Sequence, residues 1–297
     1  MMAGAAVTVI TACLNAVRTV ETALRSVISQ DWPGLEYIVV DGGSTDGTLE
    51  VLENYRPFLA RLISEPDKGV YDAFNKGLAL ASGDIVGILN ADDCYAPWTF
   101  GTVAEASRLH PECGVFYGKL AVIDEARRRW TVYPLGDHER LPNHMIAHPA
   151  AFVRKNLYEK HGFFDESYKI AGDWDLFLRF WLAGEGFCPI DRVLTAFRNA
   201  GLSSRPTRRL VRENRAVYRK YRGKIAGLSG AAYFGKTVRE ELKYWGRKGM
   251  ELSGLYGLYS RYRDARLLNA EGWGAYDGPE SLWNAVKALE EIEAIRD

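Results

Sequence analysis

The sequence predicts an α/β protein built on a mostly parallel sheet with helices on both faces. Three observations carry this. β-branched apolar runs of strand length alternate with segments of helical periodicity through residue 118. Strict alternation of strand and helix is the pattern of parallel sheets joined by helical crossovers. The unusual polar residues fall just after the strands, at the edge where such sheets bind ligands.

The elements follow in order. "AVTVITA" (6–12) is the first strand, and Val20, Leu24, Val27 and Ile28 then repeat at helical spacing across 19–30 behind a capping Thr19. "LEYIVVD" (35–41) is the second strand. "GGSTDGT" turns the chain into a short helix beginning at Leu49, Val51 and Leu52. "RLISE" (61–65) is the third strand, and Val70, Phe74, Gly77, Leu78 and Ala81 line one face of a helix over 70–81. "DIVGILN" (84–90) is the fourth strand, followed by a helix near 99–109 and a strand around "GVFYG" (114–118). Leu176, Phe177, Phe180 and Trp181 mark a further helix face within 168–184. From about 206 onward helical, Arg- and Tyr-rich segments replace the alternation, with a hinge suggested by Gly223, Gly227 and Gly230. Residues 277–296 read as a last amphipathic helix, with Pro279 in its first turn and a stripe of Leu282, Val286, Leu289 and Ile292. The chain therefore divides into a main domain, 1–205, and a helical C-terminal extension, 206–297.

The 297 residues are 47% hydrophobic and 26% charged, enough for one large core with an appendage. Net charge is zero, but 205–224 carries nine Lys and Arg residues against the single Glu213, and 271–297 leans acidic. A basic amphipathic helix of this kind suits either a solvated face packed on the main domain or contact with an anionic bilayer. Nucleic-acid binding is disfavoured, because the chain is neutral and the basic run carries no recognised motif. Cys13, Cys94, Cys113 and Cys188 are scattered without metal or redox spacing. No secretory leader is read at the start, and no stretch reaches the ~20 apolar residues that cross a bilayer. The expectation is a cytoplasmic protein, peripheral at most on the inner face of the membrane.

Several polar groups invite chemistry, and each has a structural alternative. Asp41, ending the second strand, suits either a turn-initiating aspartate or an acceptor for a base or ribose. A hydride-transfer site would need glycines after the first strand, where "TACLNAV" has none. Lys68 and Asp72 flank a helix start, where Asp72 either steadies the first turn or shares an anion site with Lys68. Asp92-Asp93, after a buried strand, is either a charged turn or half of a Mg²⁺ or Mn²⁺ shell completed by phosphate oxygens. Asp173, beside Trp174 at a helix start, is a cap, a general base whose pKa the aromatic raises, or both.

The ordered motifs "VTVITACLNA", "VVDGGSTDGT", "SEPDKGVYDAFNKG", "GDIVGILNADDCY" and "YKIAGDWDLFLR" resemble glycosyltransferase family 2, of GT-A (Rossmann-like) fold, from residue 6 to about 205. The resemblance is closest to the bacterial branch that builds capsule, O-antigen and other extracellular polysaccharide. It implies a nucleoside-diphosphate sugar donor, UDP-linked, bound by about 6–118, and a glycan or lipid-linked acceptor on about 119–205. It assigns Thr11, Asn15 and Asp41 to the base and ribose, Lys68 and Asp72 to the lining of that site, and Asp92 and Asp93 to a DxD-type motif. Asp93 is then the direct ligand of Mn²⁺ or Mg²⁺, and Asp92 serves the ribose or the metal's water. Asp173 becomes the base of an inverting transfer, although Gly172 stands where the family commonly has an acidic neighbour. His148 is either structural or a contact to metal, diphosphate or acceptor. Ser203, Ser204 and Arg205 are placed near the diphosphate. The QxxRW signature of processive synthases is missing, which implies one sugar per encounter. The alternatives are a non-catalytic nucleotide-sugar binder and a sugar nucleotidyltransferase, the latter lacking its glycine-rich loop after the first strand.

Overall fold

The computed structural model describes residues 5–142, 145–198, 207–225, 274–275 and 277–293, with side chains of the last helix described through Lys287. The first strands run as expected: β1 (Val7–Cys13), β2 (Glu36–Asp41), β3 (Arg61–Ser64) and β4 (Ile85–Asn90). They form a parallel block ordered β3-β2-β1-β4. Alternation divides their side chains between two cores. Ile10, Ile38, Val40, Val86 and Ile88 face one layer, and Val9, Tyr37, Val39, Ile85 and Leu89 the other. The first layer is completed by α3 (Val70–Leu80), the second by α1 (Val20–Ile28), α2 (Thr48–Asn54) and α4 (Thr99–Leu109).

The chain builds outward from β1 to β3, then returns to place β4 on the other side of β1. That reversal opens a crevice between the carboxyl ends of β1 and β4, because their following loops diverge.

The other half of the sheet is mixed rather than parallel. It holds β5 (Cys94–Tyr95), β6 (Cys113–Asp124), β7 (Arg129–Tyr133), β8 (Ala151–Arg154), β9 (Gly186–Arg198) and β10 (Gly274–Ala275). Among the described residues only β6 and β9 pair in parallel there; β8 joins β4 to β6 by antiparallel pairing, and β7 and β10 extend the sheet. β9 bears Asp191, Arg192 and Thr195 among its apolar residues, which blurs strand periodicity in the sequence. Two further helices, α5 (Lys155–His161) and α6 (Gly172–Leu182), pack on the α3 side.

The C-terminal region returns to this body. In α7 (Arg208–Tyr221), Thr207 accepts a hydrogen bond from the Leu210 N–H and caps the helix. α7 buries Val217, Tyr218 and Tyr221 in the α3-side core. Tyr218 meets Trp174 edge-on at 4.8 Å and donates to the Pro142 carbonyl. Lys220 and Tyr221 reach the fully buried Asp175, which also binds Arg179. The basic segment thus packs on the main domain with one face, while Arg209, Arg212, Arg219 and Arg222 stay exposed. The final helix, α8 (Pro279–Glu293), inserts Leu282, Trp283 and Val286 against Trp130 and Trp98. Gly227 and Gly230 of the expected hinge, and the side chains of Leu289 and Ile292, lie outside the described residues. Among the described residues no helix is long and apolar enough to cross a membrane.

Candidate active site

The crevice between β1 and β4 is a cleft of about 470 Å³. Its walls come from the β1–α1 loop, the loop after β4, α3, the segment at His148, and the start of α6. Asn15, Asp92, His148 and Asp173, distant in sequence, all line it.

Asn15 sits in the left-handed region (φ 51°), which asparagine tolerates better than most residues. Its side-chain oxygen accepts the Thr45 N–H at 2.9 Å, and its own N–H donates to Ser44 Oγ at 2.7 Å. Ala16 and Val17 donate to Thr48 and Asp46 in the same way. The loop after β1 is therefore pinned to the "GGSTDGT" turn.

Asp173 is the second residue of α6 and is half-buried in the cleft wall. Burial pushes its carboxyl up from 3.8 to about 6, against the lowering effect of the Trp174 N–H that its Oδ1 accepts at 2.8 Å. Tyr71 of α3 fixes the backbone here. Its hydroxyl accepts the N–H groups of Gly172 (2.9 Å) and Asp173 (3.3 Å) and donates to the Ile170 carbonyl at 2.7 Å. The same ring explains Gly172: a Cβ there would lie 2.7 Å from it, so no acidic neighbour fits before Asp173.

The two members of the acidic pair are placed differently. Asp92 lines the cleft, half-buried, and burial raises its carboxyl above the usual range. Asp93 is only 1% exposed and does not line the cleft. Its oxygens accept the Arg198 N–H (3.1 Å) and the Asn90 amide (3.2 Å), tying β9 to the end of β4. Burial, then the Asp92 charge, raises Asp93 well above the ordinary carboxylate range. One carboxylate of the pair thus lines the cavity while the other ties the frame.

His148 lines the cleft between the rings of Phe74 (5.3 Å) and Phe164 (6.1 Å). Burial lowers its pKa to about 4, and its buried Nε2 has no hydrogen-bond partner among the described residues. The imidazole is therefore neutral near pH 7 and has an unmatched polar atom.

Of the remaining expected residues, Thr11, Asp41, Lys68 and Asp72 do not line the cleft. Thr11 points into the core on the Tyr37 side, its hydroxyl 3.0 Å from that of Tyr37. Asp41 is fully buried; burial would raise it, but hydrogen bonds from Ser44 and Ser64 outweigh this and hold it below the usual range. Asp72 accepts the Lys68 N–H at 2.9 Å and pairs with Lys76 at 3.4 Å, steadying the entry to α3. The Lys68 N–H bond is the main cause of its lowered pKa. Lys68 is exposed. Ser203, Ser204 and Arg205 lie outside the described residues.

No three His, Cys, Asp or Glu side chains form a metal-binding set among the described residues. The chemistry still fits a divalent ion held jointly with a diphosphate, since Mg²⁺-type ions commonly take one or two carboxylates plus phosphate oxygens. Asp92 and the unmatched His148 nitrogen are the groups in the cleft that fit this description.

A family model for glycosyl transferase family 2 matches residues 8–162, more than half of the chain. The chain belongs to this family. A PGL/p-HBAD biosynthesis glycosyltransferase of Mycobacterium tuberculosis is 34% identical over 183 residues, covering 60% of this chain and 70% of that protein. An uncharacterized glycosyltransferase of the same species is 32% identical over 211 residues, 69% and 79% of the respective chains. Both are bacterial glycosyltransferases, in keeping with the branch that the motifs resemble. Among solved structures, S. aureus TarS 1–349 in complex with UDP-GlcNAc superposes with a TM-score of 0.62 at 20% identity, covering 83% of this chain and 75% of TarS. The Pyrobaculum calidifontis mannosyltransferase PcManGT, in complex with GDP-Man and Mn2+, gives 0.58 at 21% identity, covering 88% and 83%. These two likenesses establish the shared GT-A fold.

For a family 2 glycosyltransferase, several residues of the site escaped sequence reasoning. Tyr71 is absent from the apolar face expected for α3, and only the fold brings its hydroxyl to the Ile170 carbonyl just ahead of α6, 99 residues away. Lys169 lines the cleft and donates to the carbonyls of Lys68 and Glu166, bridging two loops. Ser44 and Ser64 carried a weak signal as small polar residues flanking strand ends. Glu213 carried one too, as the single acid in a basic run.

Proposed function

We propose that this family 2 enzyme transfers one sugar from a nucleoside-diphosphate sugar, UDP-linked, to a hydroxyl of a glycan or lipid-linked acceptor, with inversion at the anomeric carbon. Residues 6–118 hold the donor and 119–205 receive the acceptor. The observation that carries this reading is Asp173, a carboxylate with pKa raised to about 6, lining the same cleft as Asp92. The UDP-GlcNAc complex of TarS and the GDP-Man and Mn2+ complex of PcManGT support a nucleotide-sugar donor and a divalent ion.

The residues then take the following roles. Asn15 and the loop it pins border the nucleotide. Asp92, rather than Asp93, provides the carboxylate for Mn²⁺ or Mg²⁺, with the neutral His148 nitrogen as a further group toward the ion or diphosphate. When bound, the ion supplies positive charge to the departing diphosphate. Asp173 accepts the proton of the acceptor hydroxyl while that oxygen attacks the anomeric carbon from the face opposite the diphosphate. Its raised pKa makes it a stronger base than an ordinary carboxylate, yet it remains ionised at pH 7. Thr11, Asp41, Asp72 and Asp93 support the frame around these groups.

The test is a thermal-shift screen of UDP-, GDP- and dTDP-sugars with Mn²⁺, followed by nucleotide release from the donor that stabilises most. Slow release in the absence of acceptor is expected. Binding without any turnover would favour the non-catalytic binder.

The exposed face of α7 supports a second reading. Its buried residues pack on the main domain, so Arg209, Arg212, Arg219 and Arg222 stand on a fixed outward surface. We propose that this face meets an anionic bilayer and brings the site to a lipid-linked acceptor. Co-sedimentation with vesicles containing anionic lipid should fall when these four arginines become glutamine; equal pelleting removes the idea.

A further inference from the structure

α7 does more than cover the core. Glu213, at its second turn, turns its carboxylate onto three successive backbone N–H groups ahead of α6. It accepts from Lys169 (3.1 and 3.0 Å), Ile170 (2.8 Å) and Ala171 (3.1 Å). Ala171, at the capping position of α6, has no polar side chain to accept an N–H there. The first N–H groups of a helix lack intrahelical partners and need an acceptor. Glu213 supplies one from another helix, and Tyr71 accepts the next two, from Gly172 and Asp173. Five consecutive N–H groups, 169 to 173, are thus fixed by two side chains from α7 and α3.

We infer that Glu213 is a positioning residue for the transfer reaction, holding the start of α6 so that Asp173 faces the acceptor hydroxyl, and thereby making α7 a working part of the active site. This rests on the reading of Asp173 as the base. Geometry supplies the first reason. A base displaced by an ångström loses its alignment with the proton, and such displacements cost up to ~10²-fold in rate. Charge supplies the second. A row of N–H groups aimed together is electropositive and would favour the carboxylate form of a nearby acid, weakening it as a base. Burial is the main cause that raises Asp173, and the negative charge of Glu213, set against that field, acts in the same direction. The other groups around Asp173 are Tyr71 from α3, Lys169 from the preceding segment, and Asp92 and His148 lining the same cleft. None of these accepts the N–H groups that Glu213 holds.

The experiment compares Glu213→Gln and Glu213→Asp in parent and Asp173→Asn backgrounds, in the full chain. Nucleotide release is measured with Mn²⁺ and the fastest donor among UDP-glucose, UDP-N-acetylglucosamine, UDP-galactose and GDP-mannose. The titration of the Asp173 carboxyl is followed by ¹³C NMR without donor. Glu213→Gln should lower kcat by about 10–100-fold with donor KM within about twofold. It should also move the Asp173 midpoint, and the acid limb of the rate profile, to lower pH. Glu213→Asp keeps the charge, so the midpoint should stay while kcat falls from the shorter reach. In the Asp173→Asn background Glu213→Gln should add less than about twofold, since its effect runs through Asp173. Parental kcat and an unmoved midpoint in Glu213→Gln, with Asp173→Asn inactive, would overturn the inference alone. Parental turnover in Asp173→Asn would overturn the base reading beneath it. If Glu213→Gln gives no cooperative melting transition, Glu213→Asp decides: parental kcat there overturns the inference.

Discussion

Replacing Asp173 by asparagine should make the enzyme slower and more stable at once. Burial holds this carboxyl at about 6 instead of 3.8. At about 1.36 kcal/mol per unit, ionising it in the folded protein costs on the order of 3 kcal/mol relative to the unfolded chain. The sign follows from proton binding. Between the two pKa values the folded state holds the proton more tightly, so stability falls as pH rises through 6, and above that the whole penalty is present. Asparagine keeps the shape and can still accept the Trp174 N–H, but carries no charge to desolvate. The variant should therefore gain up to ~3 kcal/mol at pH 7.5, about half of that at pH 5, and little at pH 4. In melting temperature the gain at pH 7.5 is roughly 5–10 °C. Turnover should drop ~10²–10⁴-fold with donor affinity retained. Urea melts at both pH values, paired with nucleotide release, make the measurement. Parental turnover, or a stability gain that does not shrink from pH 7.5 to pH 5, would refute the reasoning.

Other perturbations separate frame from function. Asp92→Ala should abolish the Mn²⁺-dependent part of UDP affinity in titration calorimetry while leaving the fold within ~1 kcal/mol of the parent. Asp93→Ala should instead destabilise by about 1–3 kcal/mol in urea melts, because it strands the Arg198 N–H and the Asn90 amide. Gly172→Ala places a methyl 2.7 Å from the Tyr71 ring, so it should cost about 1–3 kcal/mol in melts and reduce turnover by displacing the start of α6. Asp175→Ala leaves Arg179, Lys220 and Tyr221 without their shared acceptor, so it should lower stability by about 3 kcal/mol and speed proteolysis within α7.

The sequence by itself determined the parallel half of the fold and the family. β1, β2 and β4 are β-branched runs with two buried faces, and α1 and α3 carry clear apolar stripes. Such patterns leave little choice of partner, and the strand ends then collect Asn15, Asp92 and, through α6, Asp173. Five motifs in order were enough to name family 2. What the tertiary structure decided concerns direction and distance. Asp92 and Asp93 are neighbours with the same chemistry, and nothing in their order says which faces the cleft; the Arg198 N–H arriving on β9 takes Asp93. Thr11 and Asp41 lie at the right strand ends, but strand alternation turns Thr11 into the Tyr37 core, and Ser44 and Ser64 engage Asp41. β7, β8 and β9 were not legible, because runs such as Ala151–Val153 and Val193–Ala196 are buried on both faces, which removes the polar–apolar period of two that marks a half-exposed strand. The grip of Glu213 and Tyr71 on the start of α6 was equally hidden. It joins residues 42 to 102 positions apart, and a hydrogen bond between distant segments leaves no periodic trace in either one.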